Sequence, residues 1–319
     1  MINRRFLRIK ALMQYYAHTQ TENKTFVETE KQLLQSINKV YELFIYQLSF
    51  LMEIFYFAEN MMQEAKNKHL PTEEEKNPNT RFVDNAIYRM IAENKNYKKL
   101  LGAYAINWKE DEEIIRKMYK EIRQSRPFQE YMVKPADFEQ DKTYAVQLFK
   151  AWVTSSHILH NKYEEMNIHW YDDFYMANNL VIKFIQSITT DWNEETAFPK
   201  LLGEDDAAKN EDLVFVKKLL SEATSKDAEI EKIISDFLTN WEPERIALLD
   251  MLIMKLAVVE FLYFPSIPVK ATLNEYIEIS KEYSTPKSKI FINGVLDKII
   301  RDLKEKGKLN KSGRGLKEN

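Results

Sequence analysis

The stretch HILHNKYEEMNIHWYDD, residues 157–173, gathers the chain's densest set of side chains able to ligate a metal or move a proton. On a helix His157, His160 and Glu164 would share one face, and Glu165 and His169 stand four apart. Helical metal ligands need such spacing. A di-iron bundle, however, needs two Glu-x-x-His motifs, and this stretch has none. It reads as a solvated or interhelical polar face, with neither metal nor cofactor expected. The absence of cysteine excludes thiol catalysis, a Cys-ligated zinc and a disulfide framework. Six glycines leave little material for phosphate-cradling loops, and no G-x-x-x-x-G-K-[ST], G-x-G-x-x-G or G-x-S-x-G occurs. Carboxylate pairs such as Glu194-Glu195 fall in polar breaks and read as solvated charge. No enzyme is expected.

Charge is more informative by position than in total, the formal net charge being −3. Arg4, Arg5, Arg8 and Lys10 precede the first acid, Glu22. The other end carries Lys304, Lys306, Lys308, Lys311, Arg314 and Lys317 against Glu305 and Glu318. Two basic ends on a mildly acidic body form a local electrostatic footprint, or are simply solvated termini.

Low glycine and proline, with abundant Leu, Ile, Lys, Glu, Met and aromatics, favour an all-α protein. Phe6, Ile9, Leu12, Met13 and Tyr16 recur at helical spacing over residues 3–18, with the basic residues off that stripe. A long helix is expected over 25–68. Its most apolar part, residues 43–58, falls short of the roughly 20 residues that span a bilayer and reads as a buried core helix. Without a continuous apolar leader, a soluble, cytoplasmic protein with no membrane association is expected. Polar breaks are expected at 70–82 and 189–212, several helices over about 82–188 with a separation near 126–141, and further helices over 213–223, 228–239, 243–264, 273–281 and 288–303. The 243–264 helix is apolar nearly all round, interrupted by Asp250, Lys255 and Glu260, which suits the centre of a core. Pro243 fits its first turn.

KSKIFINGVLDKI, residues 287–299, poses a local conflict. Asn-Gly between apolar residues is a hairpin signal. Yet Ile292, Val295, Leu296, Ile299, Ile300 and Leu303 follow the 3.6-residue repeat, so Asn293-Gly294 is expected inside a helix, started near Thr285-Pro286 or Ser288. A glycine there costs about 1 kcal/mol relative to alanine. Close approach of another helix or of a ligand would explain it.

Residues 267–299, with I-P, N-E and then F-I-N-G-V-L-D in order, resemble the C-terminal signature of the NusB transcription antitermination factors. WEPERIALLDMLIMKLAVVE (241–260), EDLVFVKKLLSEA (211–223) and RRFLRIKALMQYYA (4–17) are similar to the family's central, preceding and first helices. The resemblance covers about 1–65 and 209–303. It implies a NusB-like helical bundle, with 66–208 as an additional inserted helical region; 304–319, beyond it, is expected to be a basic flexible tail.

The resemblance further implies a non-catalytic factor. It would bind boxA-type single-stranded RNA together with the ribosomal protein NusE, in the RNA polymerase antitermination complex that supports ribosomal RNA transcription. Arg4, Arg5 and Arg8 would contact phosphates. Lys287, at a position often acidic in the family, would add phosphate attraction. Phe291 is either a core residue or a face on which a base stacks, and Gly294 either a packing glycine or room for RNA. Asn293 would meet a base edge or cap locally. Tyr16 and Asp250 match positions facing NusE. An internal ion pair of Asp250 with Arg245 or Lys255 is the alternative. Asn274 and Glu275 would cap a helix start. Other readings are a helical scaffold whose insert makes the contacts, and a homodimer formed through the RNA-facing surface when RNA is absent. The ribosomal RNA methyltransferases that carry a NusB-like domain need a catalytic cysteine, which is missing here.

Overall fold

The computed structural model describes residues 2–202, 210–238 and 246–316, and among them there are α-helices, two 3-10 turns, one π turn and no strand. The all-α expectation holds. The chain divides into two compact units, Asn38–Leu201 and Ile2–Ile37 with Leu202–Asn319. The division at 37/38 falls inside the second helix.

In the Asn38–Leu201 unit the elements are most of α2 (Phe26–Lys66), then α3 (Glu73–Lys76), α4 (Ala86–Glu93), α5 (Lys95–Ala103), α6 (Glu112–Gln124), α7 (Arg126–Met132), α8 (Phe138–Leu148), α9 (His157–Met166) and α10 (Trp170–Ser187). α2 has the length and apolarity to cross a membrane, but 72% of its apolar window is buried inside the fold, as expected for a core helix. Phe55 stacks on Phe82 and Tyr88 at 4.4 and 4.9 Å between ring centres. A buried polar clamp fastens α4 to α7 and α8. Arg81 reaches Tyr131 Oη (2.6 Å) and Asp141, Asn85 donates to Tyr131 Oη (3.0 Å), and Asp141 accepts the Ala86 N–H (2.8 Å).

The break expected over 126–141 is narrower than the sequence suggested. Ser125 accepts the Phe128 N–H as an N-cap, and Pro127 sits in the first turn of α7, where its missing N–H costs nothing. In the 157–169 stretch, His160 lies against Tyr171 and Phe174. Among the described residues no group of His, Cys, Asp and Glu could hold a metal ion.

The other unit contains α1 (Arg4–Thr19), the start of α2, α11 (Glu211–Ser225), α12 (Asp227–Ser235), α13 (Leu248–Tyr263), α14 (Val269–Tyr283) and α15 (Ser288–Glu305). α13 is its hub, packed against α1, α11, α12, α14 and α15. Its three charged residues are buried with partners, which is the condition for charge in a core. Lys255 meets Asp227 (2.7 Å) and Glu231 (2.6 Å), Glu260 meets Arg8, and Asp250 accepts from Ser284 Oγ. α13 starts later than expected, since Ile246 and Ala247 are not helical; Pro243 lies outside the described residues. α14 starts earlier, behind Pro268 at φ −60°, ψ 140°. Asn274 and Glu275 are therefore inside a helix, which corrects their assignment to a helix start.

As far as Leu316 the tail has defined contacts. α15 ends with Gly307 at φ 63°, whose N–H bonds Lys304 O (3.0 Å) while Lys308 N–H bonds Leu303 O (2.9 Å). That is the Schellman arrangement, which needs a residue free to adopt positive φ. The chain then returns to the end of α13. Lys311 Nζ donates to Phe264 O (2.9 Å) and Glu260 O (3.3 Å), and Ser312 N–H bonds Pro265 O (3.0 Å). Burial pushes the Lys311 ammonium down to about 8. A Cβ on Gly315 would stand 1.9 Å from Pro265 O, so the tail seats only with glycine there.

Candidate nucleic-acid interface

α15 buries Ile292, Val295, Leu296, Ile299 and Leu303 against α13 and α14. That burial, at 3.6-residue spacing, fixes which residues face outward. Lys287, Phe291, Gly294 and Lys298 follow one another at intervals of four, three and four, so they share a stripe. Lys287, Gly294 and Lys298 are exposed and Phe291 is half-buried. Ile290 beside them is 72% exposed. The stripe presents a cation, an aromatic ring, a gap and a second cation, at the positive end of a helix dipole that favours anions.

Asn293-Gly294 lies inside this helix, as the apolar period predicts. Among the described residues nothing stands within 4 Å of a Cβ built on Gly294, so no other described helix requires the glycine. Of the two expected explanations for its cost, helix packing is excluded. Asn293 is half-buried and its Nδ2 reaches Asp297 Oδ2 at 3.3 Å, one turn along.

The three arginines of α1 diverge. Arg5 is 39% exposed and grips Glu275 of α14 with two hydrogen bonds of 2.9 Å. Arg4 reaches Asp212 (3.1 Å) and Glu211 (3.4 Å) at the start of α11 and lies over the Phe215 ring. Arg8 is 4% exposed, its guanidinium donating to both Glu260 oxygens at 2.8 and 2.6 Å. A phosphate cannot reach it without opening the core, so its expected phosphate contact is replaced by a structural role. The Lys281 ammonium holds the Glu278 carboxyl below the usual carboxylate range, with Arg5 and Lys289 adding to the effect. Glu278 thus links the charge of α1 with that at the start of α15.

Of the two expected partner contacts, Tyr16 is 40% exposed. Asp250 is 5% exposed and bonded by Ser284, whose Oγ also bonds Ser288 Oγ at 3.0 Å. It ties α13 to the entry of α15, so the expectation of an exposed acid is corrected. The alternative pair with Lys255 is also absent, since Lys255 is taken by α12, and Arg245 lies outside the described residues. Lys298 and Glu275 escaped the sequence reading of the site. The interval from Phe291 and Gly294 carries the signal for Lys298; Glu275 has none, because its partner lies 270 residues away.

Residues 177–301 match the NusB family model, a span running from within α10 to within α15. The chain is 40% identical over 131 residues to the transcription antitermination protein NusB of Salinibacter ruber, covering 40% of this chain and 79% of the relative. It is 36% identical over 118 residues to the protein of that name from Clostridium botulinum, 37% of this chain and 89% of the relative. With the one from Chloroherpeton thalassium it shares 42% identity over 102 residues, 32% of this chain and 48% of the relative. No solved structure matches it.

Proposed function

The chain belongs to the NusB family, and from that premise we propose that it is a non-catalytic transcription antitermination factor holding boxA-type single-stranded RNA on the α15 stripe. NusE is its protein partner, the RNA polymerase antitermination complex its setting, and support of ribosomal RNA transcription in the cytoplasm its task. The observation that carries this reading is the half-buried Phe291 between exposed Lys287 and Lys298, beside open space at Gly294. An unpaired base stacked on such a ring gains about 1–3 kcal/mol. The glycine, which no neighbour requires, lets a sugar or phosphate come close to the helix. Lys287 and Lys298 take phosphates on either side, and Asn293 is within reach of a base edge.

Arg5 joins them at low cost. A partly exposed pair such as Arg5–Glu275 is worth about 0–1 kcal/mol, so exchange of the carboxylate for a phosphate is nearly neutral. Arg4 behaves similarly at the edge of the site. Tyr16 supplies part of the NusE face, and Asp250 acts only through the seating of α15. The NusB-like core in this reading uses Ile2–Ile37 together with 209–303, so the inserted region begins within α2 rather than at 66.

Gel-shift titrations with boxA and scrambled strands, with NusE present, test the proposal. Phe291→Ala should lower boxA affinity about 5- to 150-fold, the equivalent of one lost stack. Arg5→Ala should weaken both strands alike and reduce the salt slope by about 1. Unchanged boxA preference in both variants would refute the site, and equal binding of the two strands by wild type would refute the function.

A further inference from the structure

One carboxylate in the Asn38–Leu201 unit is neither paired nor fully solvated. Glu53 sits on α2, in a cavity of about 370 Å³ between that helix and residues 106–116. Its side chain is half-buried, and no hydrogen-bond or ion-pair partner for it occurs among the described residues. Desolvation alone raises its carboxyl above the usual range. A charge held that way is unfavourable unless something compensates it.

The walls suit a particular compensator. Glu53, Tyr56, Phe57 and Glu64 stand on one face of α2, at helical intervals. Opposite is Trp108, held by its Nε1–H to Ser49 Oγ at 2.9 Å and by edge contacts with Tyr46, Phe50 and Tyr163. Tyr56, by contrast, is exposed. Carboxylates outnumber cations around the cavity, and the one lining guanidinium, Arg116, is taken by Glu112 at 2.6 Å. Arg116 also lies over the Phe57 ring, 5.4 Å from its centre, so this rim already combines a carboxylate and a ring around a planar cation. Guanidinium groups stack on aromatic faces and fork onto carboxylates, which a compact, strongly hydrated ammonium does less well.

We propose that this cavity binds a guanidinium group, with Glu53 receiving its charge and the aromatic side chains flanking its plane. The cavity is built from residues of the Asn38–Leu201 unit alone, and the proposal does not depend on the RNA reading. Its source is either a free guanidino compound or an arginine side chain of a protein, and the same chemistry serves both.

Calorimetric titration of the full chain separates them, with agmatine as the free compound, an arginine-containing tetrapeptide as the protein source, and butylamine as the ammonium control. Agmatine or the peptide should bind, whichever is tighter identifying the source, and butylamine should bind more weakly. Glu53→Gln, nearly isosteric, should weaken the guanidinium ligand about tenfold or more, the lower end of what losing one side of a desolvated charge pair costs. Tyr56→Ala, at an exposed position that leaves folding intact, should weaken it by a smaller factor. Binding unchanged in Glu53→Gln, butylamine equal to agmatine, or no binding of either guanidinium probe up to about 10 mM, well past the weakest affinities that count as specific, would each overturn the proposal.

Discussion

Replacing Arg8 by alanine should destabilise the fold far more than it alters RNA contacts, although Arg8 stands in the same basic run as Arg4 and Arg5. Its guanidinium makes both hydrogen bonds to Glu260, which is 0% exposed, and lies 5.2 Å from the Phe215 ring centre. Without it, Glu260 keeps Thr272 Oγ1 at 2.6 Å and Tyr276 Oη at 3.4 Å, but among the described residues no cation bonded to its carboxylate. Removing one side of a buried pair costs about 3–5 kcal/mol, because the remaining charge is left uncompensated. The equivalent change at Arg5, whose pair is partly exposed, should cost about 0–1 kcal/mol. Urea unfolding followed by circular dichroism measures both. Adding Glu260→Gln to Arg8→Met removes the stranded charge while keeping an acceptor for Thr272, so that double variant should be more stable than Arg8→Ala. A loss below about 1 kcal/mol for Arg8→Ala would refute the argument, as would full stability coupled to an RNA defect as large as that of Arg5→Ala.

Gly294→Ala should raise stability by about 1 kcal/mol, since a methyl meets nothing there, and should weaken RNA binding in the same gel-shift assay. Asp250→Ala removes the carboxylate that Ser284 Oγ donates to, leaving it only Ser288 Oγ, and should cost about 1–3 kcal/mol in the same unfolding experiment. Lys311→Met removes the donor that holds the tail to the end of α13, and trypsin should then cut at Lys306 and Lys308 several-fold faster. Glu53 makes stability depend on pH in a defined direction. Its folded value lies above the usual 4.5, so the folded state keeps a proton that the unfolded chain has released, and stability falls as pH rises through that interval. Glu53→Gln should remove this slope and be at least as stable as wild type at neutral pH, as read from urea midpoints.

Helices were legible where apolar residues kept a 3.6-residue repeat, and α15 shows how far that reaches: the period overrode a local hairpin signal at Asn293-Gly294. At α7 the reading of 126–141 as a break passed over a start signal, the cap at Ser125 with Pro127 in the first turn. Partner choice was not legible. Arg5 and Arg8 are the same residue type three positions apart, yet one meets Glu275 near the surface and the other Glu260 in the core, 252 residues away. Nothing local distinguishes them, because the difference is set by where α13 and α14 pack. Asp250 misled for the same reason: an acid on an apolar helix suggests an outward-facing charge until Ser284 is brought to it. The α15 stripe lay between these cases, since the chain's own spacing predicts which residues align but not that the space above Gly294 is open.

The seat of the tail against Pro265 has a comparative consequence. Only a residue without a side chain fits at Gly315, so every other amino acid there would lift residues 309–316 away from the α13 carbonyls. A glycine four residues after a lysine, downstream of the final helix, therefore serves as a sequence marker for this closure in related chains. Where a relative carries a bulkier residue at that offset, the end of its central helix must be capped by other means.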